Sequence, residues 1–519
     1  MNGAESLMRT AAAAGADVCF ANLGTSEVPL AGALDRVPAI RPVLGPHEAV
    51  CTGAADGYGR MTGRPALAVL HCGPGLANGL ASLHNARRAG TPAVVVVGDQ
   101  ATWHAAADAP LTTDVPAVAD PFCAHVGRCE SAEGMARDMA DAIGESARGP
   151  ACLAVPADLA RQEVREPGAD AALRRRRPVD GDRVARAADA LRRGGTAVLF
   201  LGGGALSREG LLAAGAVARA TGCRLVHETF PARIERGGAL PAPARLPHPY
   251  DDAAAMLADV SAVVLAGARE PVSSFGYAGR PSGFVPDGAD LRVLAGAPQD
   301  CLDDAVDALE RLADRVGAAP AERTGRRAGP PAVPSGPLTP ETFAAAVAAA
   351  QPADAIVVDE SLTSGFGYHR AAEAAPPHTC MVAPTGGAIG HGLPLATGAA
   401  VACPDRPVLL IEGDGSALYT VQALWTQARE NLDVTTVICD NAGYEIVKWE
   451  VDKAEGVGPS SEALLSLDRP GPDWVGVAEA LGVPAARAAT AKELGGALRA
   501  AFAEPGPHLV EAKIRRAGA

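Results

Sequence analysis

The chain has 519 residues, 48% hydrophobic and 20% charged, enough for roughly two to four domains with sizeable cores. A formal net charge of -14 argues against a general nucleic-acid surface, and no uninterrupted apolar run is long enough to span a bilayer. The 11 cysteines are scattered without a CxxC pair, and MNGAESLMRT carries no basic-then-apolar leader pattern, so a soluble, cytoplasmic protein with reduced thiols is expected.

Residues 1–160 alternate strand and helix patterns. Strands are expected over Asp17–Asn22, Ala66–Cys72, Ala93–Gly98 and Ala151–Val155, with helices over Ala4–Ala14, Val28–Asp35, Glu48–Met61, Leu76–Arg88 and Glu133–Ser146. Pro156–Val179 is polar, contains Pro and Arg, and reads as a linker. A second unit, residues 181–317, has strand patterns at Ala197–Leu201, Arg224–His227, Ala262–Ala266 and Arg292–Leu294. Ala318–Pro337 reads as a second linker. The third unit, residues 338–519, has strand patterns at Ala355–Val358, Thr379–Val382, Val408–Ile411, Val434–Cys439 and Leu509–Ala512. The fold class expected is α/β, with three consecutive parallel-sheet domains.

The most informative stretch runs from Ile411 to Tyr444. A strand ends on Glu412-Gly413-Asp414-Gly415-Ser416, a helical segment follows, and a second strand ends on Asp440-Asn441-Ala442-Gly443. In a βαβ unit both strand ends reach the same sheet edge, so Asp414 and Asn441 can meet there. A carboxylate, an amide oxygen and a loop carbonyl make an all-oxygen set suited to Mg2+, and glycines admit a phosphate close to the backbone. This stretch resembles the thiamine diphosphate motif of the acetolactate synthase large subunit and benzoylformate decarboxylase family. The resemblance covers nearly the whole chain and is weakest in the middle. It implies Mg2+ held by Asp414, Asn441 and the Gly443 carbonyl, with Gly415 and Ser416 at the diphosphate. It also implies a pyrimidine-binding first domain and a diphosphate-binding third domain.

In Val43–Arg60 the pattern of Glu48, small residues and ADGYGR resembles the segment carrying the cofactor-activating glutamate; by itself Glu48 would be a first-turn residue favoured by the helix dipole. Such a carboxyl, beside N1′ of the aminopyrimidine, favours the imino tautomer that deprotonates the thiazolium carbon. In the family this glutamate serves the cofactor bound by a partner chain, so a homodimer, or a homotetramer, is implied. Thr25 and Ser26 in Asn22–Glu27 could simply cap a helix; by resemblance Thr25 falls on a substrate-contacting position. His71, before Cys72-Gly73-Pro74-Gly75, is either a structural histidine or, by resemblance, an active-site one. In the third domain the resemblance places Leu362 and Thr363 around the diphosphate, and Gly387 in the loop gripping the aminopyrimidine. It makes Ile389 the apolar wedge beneath the cofactor, and it brings Tyr444, which opens an expected helix over the site, within reach of substrate.

In the middle unit the glycine run 202–204 lacks the spacing of a dinucleotide loop. Residues 267–279 depart from the FAD-contacting pattern of acetolactate synthases, which leaves FAD doubtful. The expected function is thiamine diphosphate- and Mg2+-dependent decarboxylation of a small-molecule 2-oxo acid, with possible carboligation. The alternatives are a benzoylformate-type decarboxylase without carboligation, or a non-catalytic paralogue kept as an assembly partner.

Overall fold

The computed structural model describes residues 1–165, 168–193, 196–319, 332–454 and 456–515. Part of each expected linker, 166–167 and 320–331, lies outside them. The chain forms two compact units: Arg174–Ala328 with Thr379–Met381, and the remaining residues together.

The larger unit begins with β1 (Val18–Ala21), β2 (Arg41–Leu44), β3 (Ala66–Leu70), β4 (Ala93–Asp99), β5 (His125–Arg128) and β6 (Ala151–Pro156). They form one sheet in the order β2-β1-β3-β4-β6-β5, every pair parallel. β3 and β4 are buried along their whole length, as strands covered on both faces must be, which is why they read as unbroken Val/Ala/Leu runs. Pairing of Ala21 with Leu44 and with Val69 brings the loops after β1, β2 and β3 to one edge. Four helices flank the early strands: α1 (Gly3–Ala13), α2 (Val28–Arg36), α3 (Glu48–Thr62) and α4 (Cys72–Ala89). A core including Leu7, Met8, Leu30, Leu67, Val94 and Met139 fills the space between α1, α2 and this sheet.

The smaller unit carries β7 (Ala197–Leu201), β8 (Arg224–His227), β9 (Ile234–Arg236), β10 (Ala244–Arg245), β11 (Ala262–Ala266) and β12 (Asp290–Ala295). Its parallel sheet runs β10-β8-β7-β11-β12.

The last stretch holds β13 (Ile356–Glu360), β14 (His378–Val382), β15 (Val408–Gly413), β16 (Val434–Asp440), β17 (Ala485–Ala488) and β18 (His508–Lys513). Parallel pairing runs β17-β18-β16-β15-β13, with Glu360 beside Glu412 and Gly413 beside Cys439. The ends of β13, β15 and β16 therefore share one edge, as the βαβ reading requires.

Within the larger unit the two sheets are joined by α3 and the helix Gly392–Ala402. Their backbones touch through glycines: a Cβ on Gly57 would lie 2.1 Å from the Leu395 carbonyl oxygen, and one on Gly398 1.9 Å from that of Ala54. The small residues of CTGAADGYG thus serve close helix packing, and any side chain at 57 or 398 would force the helices apart.

Several local expectations change. α4 starts at Cys72, not Leu76, because the Gly-Pro-Gly segment takes helical form directly behind His71. The segment after Asp414 is two helices, Asp414–Thr420 and Ala423–Arg429, rather than one. The first linker opens with a short helix, Ala157–Arg161. β2, β5 and β17 were not expected; they lie at or next to sheet edges, where an exposed strand such as RPVL or AARA needs no apolar run.

Candidate cofactor and active site

At the third-domain edge, Asp414 opens its helix at the end of β15. Its Oδ1 accepts from the Gly415 N–H at 2.8 Å. The Gly443 N–H is shared between Asp414 Oδ2 at 3.2 Å and Asn441 Oδ1 at 3.1 Å, which gathers the two side-chain oxygens about one point. Ala442, between them, has a left-handed backbone with φ 58 that turns the loop back towards Asp414. Asn441 donates to Ser364 Oγ at 3.3 Å. Burial raises the Asp414 carboxyl to about 6, the N–H of Gly415 pulls the other way, and nearby Asp440 adds to the rise. The Asp414 carboxylate and the Asn441 amide oxygen are thus brought together, hard oxygen donors of a kind that fits Mg2+, while the Gly443 carbonyl accepts from the Glu445 N–H at 3.1 Å.

Around them, Gly415 lies under Tyr444: a Cβ there would meet the tyrosine ring at 2.5 Å. Ser416 is buried and hydrogen-bonds Glu360. Leu362 and Thr363 form a tight turn directly after β13, with Leu362 at φ 46. Glu360 accepts from the N–H groups of Gly390 at 2.6 Å and His391 at 2.9 Å, and of Gly392, and so fixes the turn that opens the Gly392–Ala402 helix. Burial pushes Glu360 up to about 7 against the pull of those N–H groups. Gly387 is exposed at φ 91, and a Cβ there would meet nothing within 4 Å, so its face is open to a planar ring. Ile389 is half-buried two residues on.

At the first-domain edge, Glu48 opens α3 and Oε2 accepts from Asn78 Nδ2 at 2.9 Å. His71 precedes α4. Its Nδ1 lies 2.7 Å from Oε2 of Glu27, which is fully buried and also accepts from the Gly24 N–H at 2.8 Å. A Cβ on Gly75 would lie 3.0 Å from Glu48 Oε1 and 3.4 Å from the His71 Cβ, so the two candidate catalytic side chains share the space over that glycine. Thr25 is exposed in the loop after β1, while Ser26 contacts the Cys72 thiol at 3.3 Å. Burial pushes that thiol up, as does the Glu27 charge. Glu27, His71 and Cys72 could also seat a metal ion by their spacing. The short His71–Glu27 contact and the raised thiol favour a hydrogen-bonded acid–histidine pair.

Of the residues expected from the sequence, Glu48, His71 and Thr25 lie at the edge of the first sheet, and Asp414, Asn441 and Gly443 at the edge of the third. Sequence reasoning missed Glu27, Asn78, Glu360 and the buried contact of His391 Nε2 with Asp56 Oδ2 at 2.7 Å. Asp56 also pairs with Arg60, at 3.0 and 2.7 Å. Burial would raise the Asp56 carboxyl, but the Arg60 charge and the His391 hydrogen bond hold it well below the usual range. Burial lowers His391, and Asp56 only partly offsets this.

Residues 1–117 match the thiamine pyrophosphate enzyme N-terminal TPP binding domain, and residues 364–512 match the C-terminal TPP binding domain. IlvX of Mycobacterium tuberculosis, provisionally named an acetolactate synthase large subunit, is 48% identical over 523 residues, covering 99% of each chain. Benzoylformate decarboxylase of Pseudomonas aeruginosa is 30% identical over 537 residues, covering 96% of each. The solved thiamine diphosphate-dependent 4-hydroxybenzoylformate decarboxylase of Rhodococcus jostii RHA1 superposes with a TM-score of 0.84 at 25% identity, over 100% of both chains.

Proposed function

Because the chain belongs to the thiamine pyrophosphate enzymes, we propose that it holds thiamine diphosphate through Mg2+ and decarboxylates a 2-oxo acid to the aldehyde. The observation that carries this reading is the His71–Glu27 pair, set beside Glu48 over Gly75. When bound, the cofactor supplies the electron sink next to which a 2-oxo acid loses CO2.

The residues then divide the work. Asp414, Asn441 and the Gly443 carbonyl hold the ion. Gly415, Ser416, Leu362 and Thr363 line the diphosphate. Gly387 and Ile389 place the ring, and Tyr444 covers Gly415. Glu48 holds a proton at N1′ of the pyrimidine. Thr25 offers a hydroxyl to the substrate carboxylate. His71 delivers a proton to the carbon that has lost CO2, so that R–CO–COO⁻ and one proton become R–CHO and CO2. Glu27 holds Nδ1 and leaves Nε2 for the substrate. Carboligation, in which that carbon attacks a second carbonyl instead, is the second reading, favoured by the name of the 48% identical relative.

The smallest active unit in this reading is a homodimer. Apolar side chains stand exposed at both edges, Leu23 and Val28 near His71 and Leu418 and Tyr419 after Asp414, and a second copy would cover them. The central glycine run offers a flavin little room: a Cβ on Gly202 would lie 2.8 Å from the Gly267 carbonyl oxygen, where a dinucleotide would need open glycines. The 11 free cysteines fit a reducing compartment, and among the described residues no helix is long and apolar enough to cross a membrane.

The test is incubation with pyruvate, benzoylformate and longer 2-oxo acids, with thiamine diphosphate and Mg2+, with and without an acceptor aldehyde. Equimolar CO2 and aldehyde support decarboxylation. A main product retaining both carbonyl partners makes carboligation the principal activity. No CO2 from any 2-oxo acid, with cofactor bound, sinks both.

A further inference from the structure

The loop from Gly386 to Gly392 belongs to the third domain, yet its first half is held by side chains of the first. Asn85, fully buried near the end of α4, accepts from the Gly386 N–H at 3.0 Å and the Ala388 N–H at 3.3 Å, and donates to the Ala388 carbonyl at 2.8 Å. Its amide pairs with both backbone groups of residue 388 as a peptide unit would. His84, the residue before it, donates from Nε2 to the Gly386 carbonyl at 3.0 Å. The approach is close enough to require glycine: a Cβ on Gly386 would lie 2.7 Å from the His84 ring and 2.8 Å from Asn85 Oδ1. A single buried amide therefore sets the loop immediately before Ile389, while the open face of Gly387 is left for a ligand.

We propose that Asn85 is a positioning residue for the ring end of the cofactor: its side-chain amide is the template that holds Gly387 open and aims Ile389. This rests on the thiamine diphosphate reading of the site. It also gives α4 two duties, with His71 at its start and the clamp near its end. The diphosphate end, built on Asp414, Asn441 and Thr363, makes no contact with Asn85 among the described hydrogen bonds, so the two ends of the ligand can be perturbed separately.

The experiment compares two ligands by calorimetry, thiamine diphosphate with Mg2+ and inorganic pyrophosphate with Mg2+. Asn85→Ala leaves three backbone groups without their partner and is expected to weaken thiamine diphosphate about tenfold or more. Pyrophosphate binding should stay at the wild-type value, which a general loss of structure would not allow. Asn85→Asp keeps the acceptor and loses the donor. It is expected to show a smaller loss in the same direction, and it serves if the alanine variant does not fold. Wild-type affinity for thiamine diphosphate in the aspartate variant, or equal weakening of both ligands, overturns the proposal. Wild-type protein that binds neither ligand overturns the cofactor reading itself, and this proposal with it.

Discussion

At the scale of the residue, the chemistry rests on side chains whose partners fix their protonation and direction. Glu27 illustrates this. It is buried, takes the Gly24 N–H, and faces His71 Nδ1 at 2.7 Å, so the neutral imidazole keeps its proton on Nδ1. Oε2 serves both the Gly24 N–H and Nδ1, so in glutamine one neutral amide oxygen would have to serve both, and it would hold the Nδ1 proton less firmly than a carboxylate does. Glu27→Gln is therefore expected to lower kcat about a hundredfold with little change in KM, measured by aldehyde release. Unchanged kcat would remove the pair from proton delivery. Asp414→Ala should abolish Mg2+-dependent retention of thiamine diphosphate, read by calorimetry with and without the metal; retention equal to wild type would refute that ligand set.

Residues of this kind were unevenly legible. Asp414, Asn441 and Glu48 announce themselves because a strand end, a glycine and an acid stand together in sequence. Glu27 sits inside the same short loop as Thr25 but has meaning only against His71, a pairing that depends on β1 and β3 being neighbours. Asn85 gives no local signal at all, being one amide in a helix whose partners lie some three hundred residues away in the chain.

At the scale of the element, α3 and the Gly392–Ala402 helix decide how the two sheets of the larger unit are held. Their contact is glycine against backbone, fastened by the buried Asp56–Arg60 ion pair and by His391. Removing one member of such a network costs more than the network itself contributes, because the others remain buried without a partner. His391 also gives the contact a pH dependence. Its folded pKa lies below the ordinary 6.5, so its share of stability is present above about pH 6.5 and is lost as the pH falls towards the folded value. Arg60 and Glu360 face the position in wild type and in a His391→Gln variant alike, and Asp56, which keeps its Arg60 partner in both, titrates below the range compared. Denaturant unfolding should show wild type losing stability relative to His391→Gln between pH 7.5 and 5. A constant difference would contradict a neutral buried imidazole.

The strand patterns were readable because parallel strands are buried on both faces and appear as continuous apolar runs, as in AVVVV of β4. The exposed strands escaped for the opposite reason. The start of α4 was hidden by Gly-Pro-Gly, a sequence that ordinarily signals a turn. Here it is helical behind His71, with Gly73 pressed on Thr113.

At the scale of the whole molecule, the candidate residues form two half-sites, at the edge of the first sheet and at the edge of the third. Under the proposed function they join across a two-fold axis, with Glu48 and His71 of one chain meeting the Asp414 loop of its partner. Mixing chains tests this most directly. Glu48→Gln and Asp414→Ala, each made alone, should both be almost inactive on the preferred 2-oxo acid. When the two variants are co-expressed and purified together, each mixed dimer contains one site with both wild-type groups. CO2 release should then return to about a quarter of wild type. A co-purified mixture as inactive as its components would contradict the claim that these two loops close on one cofactor from different chains.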